Sequence, residues 1–203
     1  MKRLILDAKR NRLINVALLL FMEHEQKRLY HVSEDSDICI FNPRPSPSSS
    51  NIEGEFVWAV DQEHLPNYLL PRDCPRVCFA CGAQTLEADV VCFLKNSAAM
   101  RIIAIEWDWL ERLWAAKLHI YSFDSGPFRC VDAGAGYYVS PQAVIPMQHV
   151  TFSNILAELS KYNVELRIVK DLWPLHNDVA NSSLEFSMIR MRNASRFQQE
   201  LRS

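Results

Sequence analysis

The chain has no marked excess of either charge, few glycines and no apolar run long enough to cross a bilayer, and each shortage removes a class of function. Its 22 basic and 24 acidic side chains leave a formal charge of -2, too little positive field to hold a phosphate backbone, so nucleic acid is not expected as a partner. The 5 glycines include no GxSxG elbow of a serine hydrolase. Gly134-Ala135-Gly136 leads into the extended run Tyr138 to Val144 rather than into a helix, which removes a phosphate-cradling glycine loop. The apolar stretch Leu13 to Met22 follows Lys9, Arg10 and Arg12 in the manner of an export signal. It is too short to span a bilayer, and Glu23-His24-Glu25-Gln26 offers no small-residue cleavage site, so an ordinary helix, or an upstream start to a frame opening at Met22, is the simpler reading. No membrane association is expected.

The 6 cysteines are too few and too unevenly placed for a disulfide scaffold, which points to free thiols and a cytoplasmic protein. Cys74, Cys78, Cys81 and Cys92 have the look of a zinc cluster, but Cys78 and Cys81 fall on one predicted strand and point to opposite faces of it. Buried thiols are the better account, and no metal is expected.

With 203 residues, 49% of them hydrophobic, the chain is long enough to bury a core of its own. The sequence divides into an appendage or helix over 1–27, a single α+β domain over 28–195 and a tail over 196–203. Runs rich in β-branched and aromatic residues between turn residues predict strands at 28–32, 56–60, 76–81, 100–106, 117–123, 136–140, 143–150 and 164–169. In the run Lys117 to Phe123, Leu118, Ile120 and Ser122 share one face and His119, Tyr121 and Phe123 the other, so that strand should be buried on both sides.

Helices are fewer. Asp108 is a candidate cap for one carrying Leu110, Leu113 and Trp114, with Trp107 as a staple. Thr151 or Ser153 opens a second with Ile155, Leu156 and Leu159, ending near Asn163. Asp61 opens a third that Pro66 shortens, and Asp171 a fourth with Pro174 in its first turn. The Pro/Ser stretch 42–51 reads as a flexible loop. Glu63 and His64 belong to a solvated face, and Trp107, Trp109, Trp114 and Trp173 to core packing. More strands than helices argue for mixed or antiparallel sheets.

The blocks Tyr30-His31-Val32-Ser33, Val57-Trp58-Ala59-Val60-Asp61 and Asn67-Tyr68 resemble the first two blocks of the ADP-ribosyltransferase fold. The resemblance implies two short sheets around a cleft with peripheral helices, NAD as cofactor, and a small-molecule nucleotide as partner with the acceptor undefined. By position, His31 would hold a ribose, Trp58 and Tyr68 would enclose the nicotinamide, and Tyr30, Ser33 and Arg72 would complete the binding set, Arg72 meeting a phosphate. A flat cationic heterocycle suits aromatic faces on either side, and ribose hydroxyls suit fixed donors and acceptors.

The third block aligns with Gly136-Tyr137-Tyr138-Val139-Ser140-Pro141-Gln142-Ala143-Val144. Active transferases carry a glutamate where this chain has Gly136 or Tyr137. Gln142 is then the candidate catalytic group on the acceptor side, and Asp132 or Glu185 would have to fold back to supply a carboxylate. Along its whole length the chain resembles a family of uncharacterised bacterial proteins, through LYHVSED, VWAVDQEH, LPRDCPRV, AIEWDWLERL, GYYVSPQAV and LEFSMIRMRNA, over about residues 29 to 194. The expectation is an uncharacterised α+β protein that binds NAD or ADP-ribose, with ADP-ribosyl transfer as the activity to consider. The alternative is a non-catalytic interaction or nucleotide-sensing module.

Overall fold

A computed structural model describes residues 27–47, 50 and 52–195. The predicted tail, and the appendage except for Lys27, lie outside the described residues. The strands are β1 Arg28–Ser33, β2 Arg44–Pro45, β3 Glu55–Val60, β4 Arg76–Ala80, β5 Arg101–Glu106, β6 Leu118–Asp124, β7 Arg129–Asp132, β8 Tyr137–Ser140, β9 Gln148–Phe152, β10 Val164–Val169 and β11 Glu185–Ile189. The helices are α1 Glu87–Asp89, α2 Leu110–Ala115, α3 Ile155–Lys161 and α4 Leu172–Ala180. Sheet 1 has the order β7-β8-β3-β1-β6-β9 with β2 paired to β3, and sheet 2 the order β10-β5-β4-β11. Every pairing is antiparallel except β10 with β5. The α+β class with two small sheets is therefore correct.

Strand alternation sorts the side chains into layers. On β5, Ile103 and Ile105 join Leu65, Leu69, Leu118 and Ile120 in a core between the sheets, while Ile102 and Ala104 join Leu172 and Val179 of α4 on the far side of sheet 2. Leu29, Val57, Ala59, Tyr121 and Phe123 form a third cluster on the outer face of sheet 1, covered by Phe41 and Ile38. β6 is buried on both faces, as its composition predicts. α2 and α3 close the central core with Leu110, Leu113, Ile155 and Leu159.

Several local expectations change. The ninth strand starts at Gln148 rather than 143: Val144 pairs only with Phe41 in an isolated bridge, and continuous pairing with β6 begins where Met147 N donates to Ser122 O. Asn154, not Thr151 or Ser153, caps α3, its side chain accepting from Ala157 N. Residues Leu65–Tyr68 form a single 3-10 turn, with Pro66 at its start. Asp108 lies in a 3-10 turn, Trp107–Trp109, ahead of α2. Trp107, Trp114 and Trp173 are exposed, not core. The Pro/Ser stretch contributes β2, and Asp171 caps α4 as expected, accepting from Trp173 N.

Candidate functional site

His31 lies where two strands of sheet 1 part. β1 pairs with β6 along its whole length, from Arg28↔Asp124 to Ser33↔His119. It meets β3 at Tyr30↔Val60 and, among the described residues, at no other pair. Past that point the His31 Nδ1–H donates to the carbonyl of Trp58 at 2.9 Å, taking an acceptor that strand pairing would otherwise use. Burial, then the charges of Arg72 and Arg44, outweigh that bond and push the imidazole pKa down. His31 shares its face with its cross-strand partner Tyr121 and packs its ring 5.0 Å from Phe41.

The rings meant to enclose a nicotinamide lie on the other face. Trp58 is in edge contact with Tyr137 at 5.8 Å, and Tyr137 with Tyr68 at 6.3 Å. The Tyr68 hydroxyl donates to that of Tyr137 at 2.5 Å. Tyr137 thus joins the two predicted rings, where the sequence had suggested an open slot between them. Burial, then the neighbouring Tyr137, drive the Tyr68 pKa well up, so its phenol stays protonated. Trp58 Nε1–H is buried and has no partner among the described residues. Tyr30 packs against the same central core.

Other predicted members fall away from this cluster. Ser33 Oγ accepts from Asp35 N, a local turn contact. Gln142 is exposed beyond the end of β8, its backbone exchanging hydrogen bonds with Ser140 Oγ. It does not approach the rings, so the proposed catalytic pairing of His31 with Gln142 is not assembled. Neither Asp132 nor Glu185 folds back. Asp132 accepts from Ala135 N in the β7–β8 turn, and Glu185 is exposed on the outer strand β11. Arg72 is exposed, with its N–H donating to Glu34 Oε1.

Three features escaped the sequence reading. Tyr137 stands at the place of the absent glutamate, and its part in the ring cluster follows from packing that a search for a carboxylate does not detect. His64 is buried, not solvated, with Nδ1 2.8 Å from Asp61 Oδ1. A Cβ on Gly136, at φ +66, would come within 2.2 Å of that His64 nitrogen, so only glycine fits there. Arg76 is buried beneath Tyr68, its guanidinium 5.8 Å from the ring; the residues around it in LPRDCPRV carried no periodicity that would have set it apart.

The four-thiol zinc arrangement does not form. Cys74 and Cys78 are buried while Cys81 and Cys92 are exposed, and no metal-holding group of His, Cys, Asp and Glu occurs among the described residues. Burial raises the thiol pKa values to about 12 at Cys74 and about 11 at Cys78, which leaves both unreactive near neutrality. A separate cavity of about 400 Å³ opens at the carboxyl ends of β5 and β10, lined by Trp107, Asp108, Ile168, Val169, Lys170 and Ser195. None of the predicted site residues borders it. No helix among the described residues is long and apolar enough to cross a membrane.

Residues 30–194 match the model of a family of unknown function, DUF6886, and the chain belongs to that family. No curated protein and no solved structure matches it.

Proposed function

We propose that this member of the DUF6886 family binds NAD or ADP-ribose at the seam where β1 leaves β3, in an ADP-ribosyltransferase-like arrangement. The observation that carries the reading is the indole N–H of Trp58, buried without an acceptor in a cluster of rings. An unmet buried donor costs on the order of 1–3 kcal/mol. A carboxamide oxygen of a bound nicotinamide would meet it. Across the seam His31 is held by Trp58 O through Nδ1, which leaves Nε2 as the ring atom for a ribose hydroxyl. Tyr68 and Tyr137 supply aromatic surface and a hydroxyl pair.

The same residues argue for binding over transfer. An oxocarbenium-like centre needs a carboxylate beside it, and the cluster of Trp58, Tyr68 and Tyr137 contains none. Ligand binding to the native state raises the melting temperature. NAD or ADP-ribose should therefore shift the unfolding of the full chain, with the NAD shift smaller for Trp58→Phe, which keeps an aromatic ring and removes the donor to the carboxamide. Absence of any shift with either nucleotide would sink the reading and leave an interaction module whose rings are core.

A further inference from the structure

The carbonyls of the loop between the 3-10 turn Leu65–Tyr68 and β4 are held by two arginines and an asparagine, while its Arg72 N–H donates to Glu34 Oε1. Arg76 Nη1 donates to the carbonyls of Pro71 and Cys74, both at 3.1 Å. Arg190 Nε donates to the Arg72 carbonyl at 3.3 Å, and Asn193 Nδ2 to that of Asp73 at 2.7 Å. Ile189 pairs with Arg76 across β11 and β4, which brings Arg190 to this loop from the far end of the chain. Arg72, Arg76 and Arg190 thus share one corner of the molecule.

No carboxylate among the described residues lies within ion-pair distance of any of the three; the ion pairs there are Asp61 with His64, Glu34 with Arg112, Glu158 with Lys161 and Glu165 with Arg167. Arg76 is 2% exposed and its Nε–H is buried without a partner. Clamping carbonyls does not require this charge, because Asn193 does the same work while neutral. A guanidinium carries five N–H groups, and these contacts leave most of them unused. Arg190 also holds a left-handed backbone, φ 55, uncommon for a side chain of its size. Burial, then the charges of Arg192, Arg72 and Arg76, lower the Arg190 pKa, with Asp73 opposing them.

We propose that Arg72, Arg76 and Arg190 form an anion site for the diphosphate of the bound nucleotide, so that the ligand class is a nucleoside diphosphate and not a free nucleoside. This rests on the nucleotide reading above, since Arg76 beneath the Tyr68 ring is what joins the two sites. Paired guanidinium donors suit phosphate oxygens through their fork geometry.

The test uses the full chain with inorganic pyrophosphate, ADP and adenosine as probes, read by calorimetry and melting temperature. Pyrophosphate and ADP should bind and adenosine should not, with binding weakened by salt. Arg190→Gln should weaken ADP about tenfold or more, as expected for loss of a charged hydrogen bond, and Arg190→Lys should recover part of it. Arg72→Gln, at an exposed position, serves where Arg190→Gln fails to fold. Equal ADP affinity in wild type, Arg190→Gln and Arg72→Gln, or no binding of pyrophosphate and ADP, overturns the proposal. Pyrophosphate binding with NAD no tighter than ADP supports this site and counts against the nicotinamide slot. NAD binding that is unchanged in both arginine variants does the reverse.

Discussion

His31 and His119 are held neutral for the same first reason, burial. At His119 the neighbouring His149, whose Nε2 is 2.9 Å from its Nδ1, and then Lys117 push the same way, against Asp35 and Asp37. A histidine whose folded pKa is lowered takes up protons less readily than it does when unfolded, so its contribution to stability is present above the unfolded value of 6.5 and declines as pH falls through and below it. The melting temperature should be level between about pH 7 and 8 and drop on acidification below about 6.5. His31→Asn and His119→Asn keep a hydrogen-bonding group near Nδ1 and remove the titration; each should flatten that drop in a pH series of melting curves. Unaltered pH profiles in both variants would show that other groups govern it. Of this, the sequence made His31 legible as a strand histidine, but not its burial or its bond to Trp58 O, which need β3 beside it.

Among the elements, β5 shows how one side chain ties several segments together. Glu106, at its end and 2% exposed, accepts from Leu172 N at the start of α4 and from Ser195 N and Oγ after the 3-10 turn Met191–Asn193. These donors lie 66 and 89 residues away in sequence. Glu106→Gln would turn an amide N–H toward N–H groups and should cost about 1–3 kcal/mol, measurable by urea unfolding, whereas Asp108→Asn on the exposed neighbouring turn should change little. A Glu106→Gln chain as stable as wild type would contradict this role. Elements with buried, alternating or doubly apolar patterns, such as β3, β5 and β6, could be read from sequence because each residue reports its own environment. β7 and β11 could not: their residues are mostly exposed or half-buried, and both are strands because a neighbour offers hydrogen bonds, not because their composition demands it.

For the molecule as a whole, the central core draws on both sheets, with Ile103 of sheet 2 and Leu118 of sheet 1 each buried in it. Ile103→Ala should cost about 2–5 kcal/mol by opening a cavity there, and unfolding should remain one transition with an unchanged denaturant slope. Separate transitions for the two sheets would mean that the shared core does not couple them. The amino-acid order alone was enough for the class of fold, most of the strands, and the presence of His31, Trp58, Tyr68 and Arg72 near strand ends and turns. Those features follow from alternation, Pro and Gly placement, and side-chain type, all of which act within a few residues. Tertiary packing decided which faces those side chains occupy, that Tyr137 joins the rings while Gln142 stays apart, and that Arg190 reaches the carbonyl of Arg72 across 118 positions of chain. Pairing between distant strands is set by the burial of the whole apolar surface at once, a quantity no short stretch of residues carries.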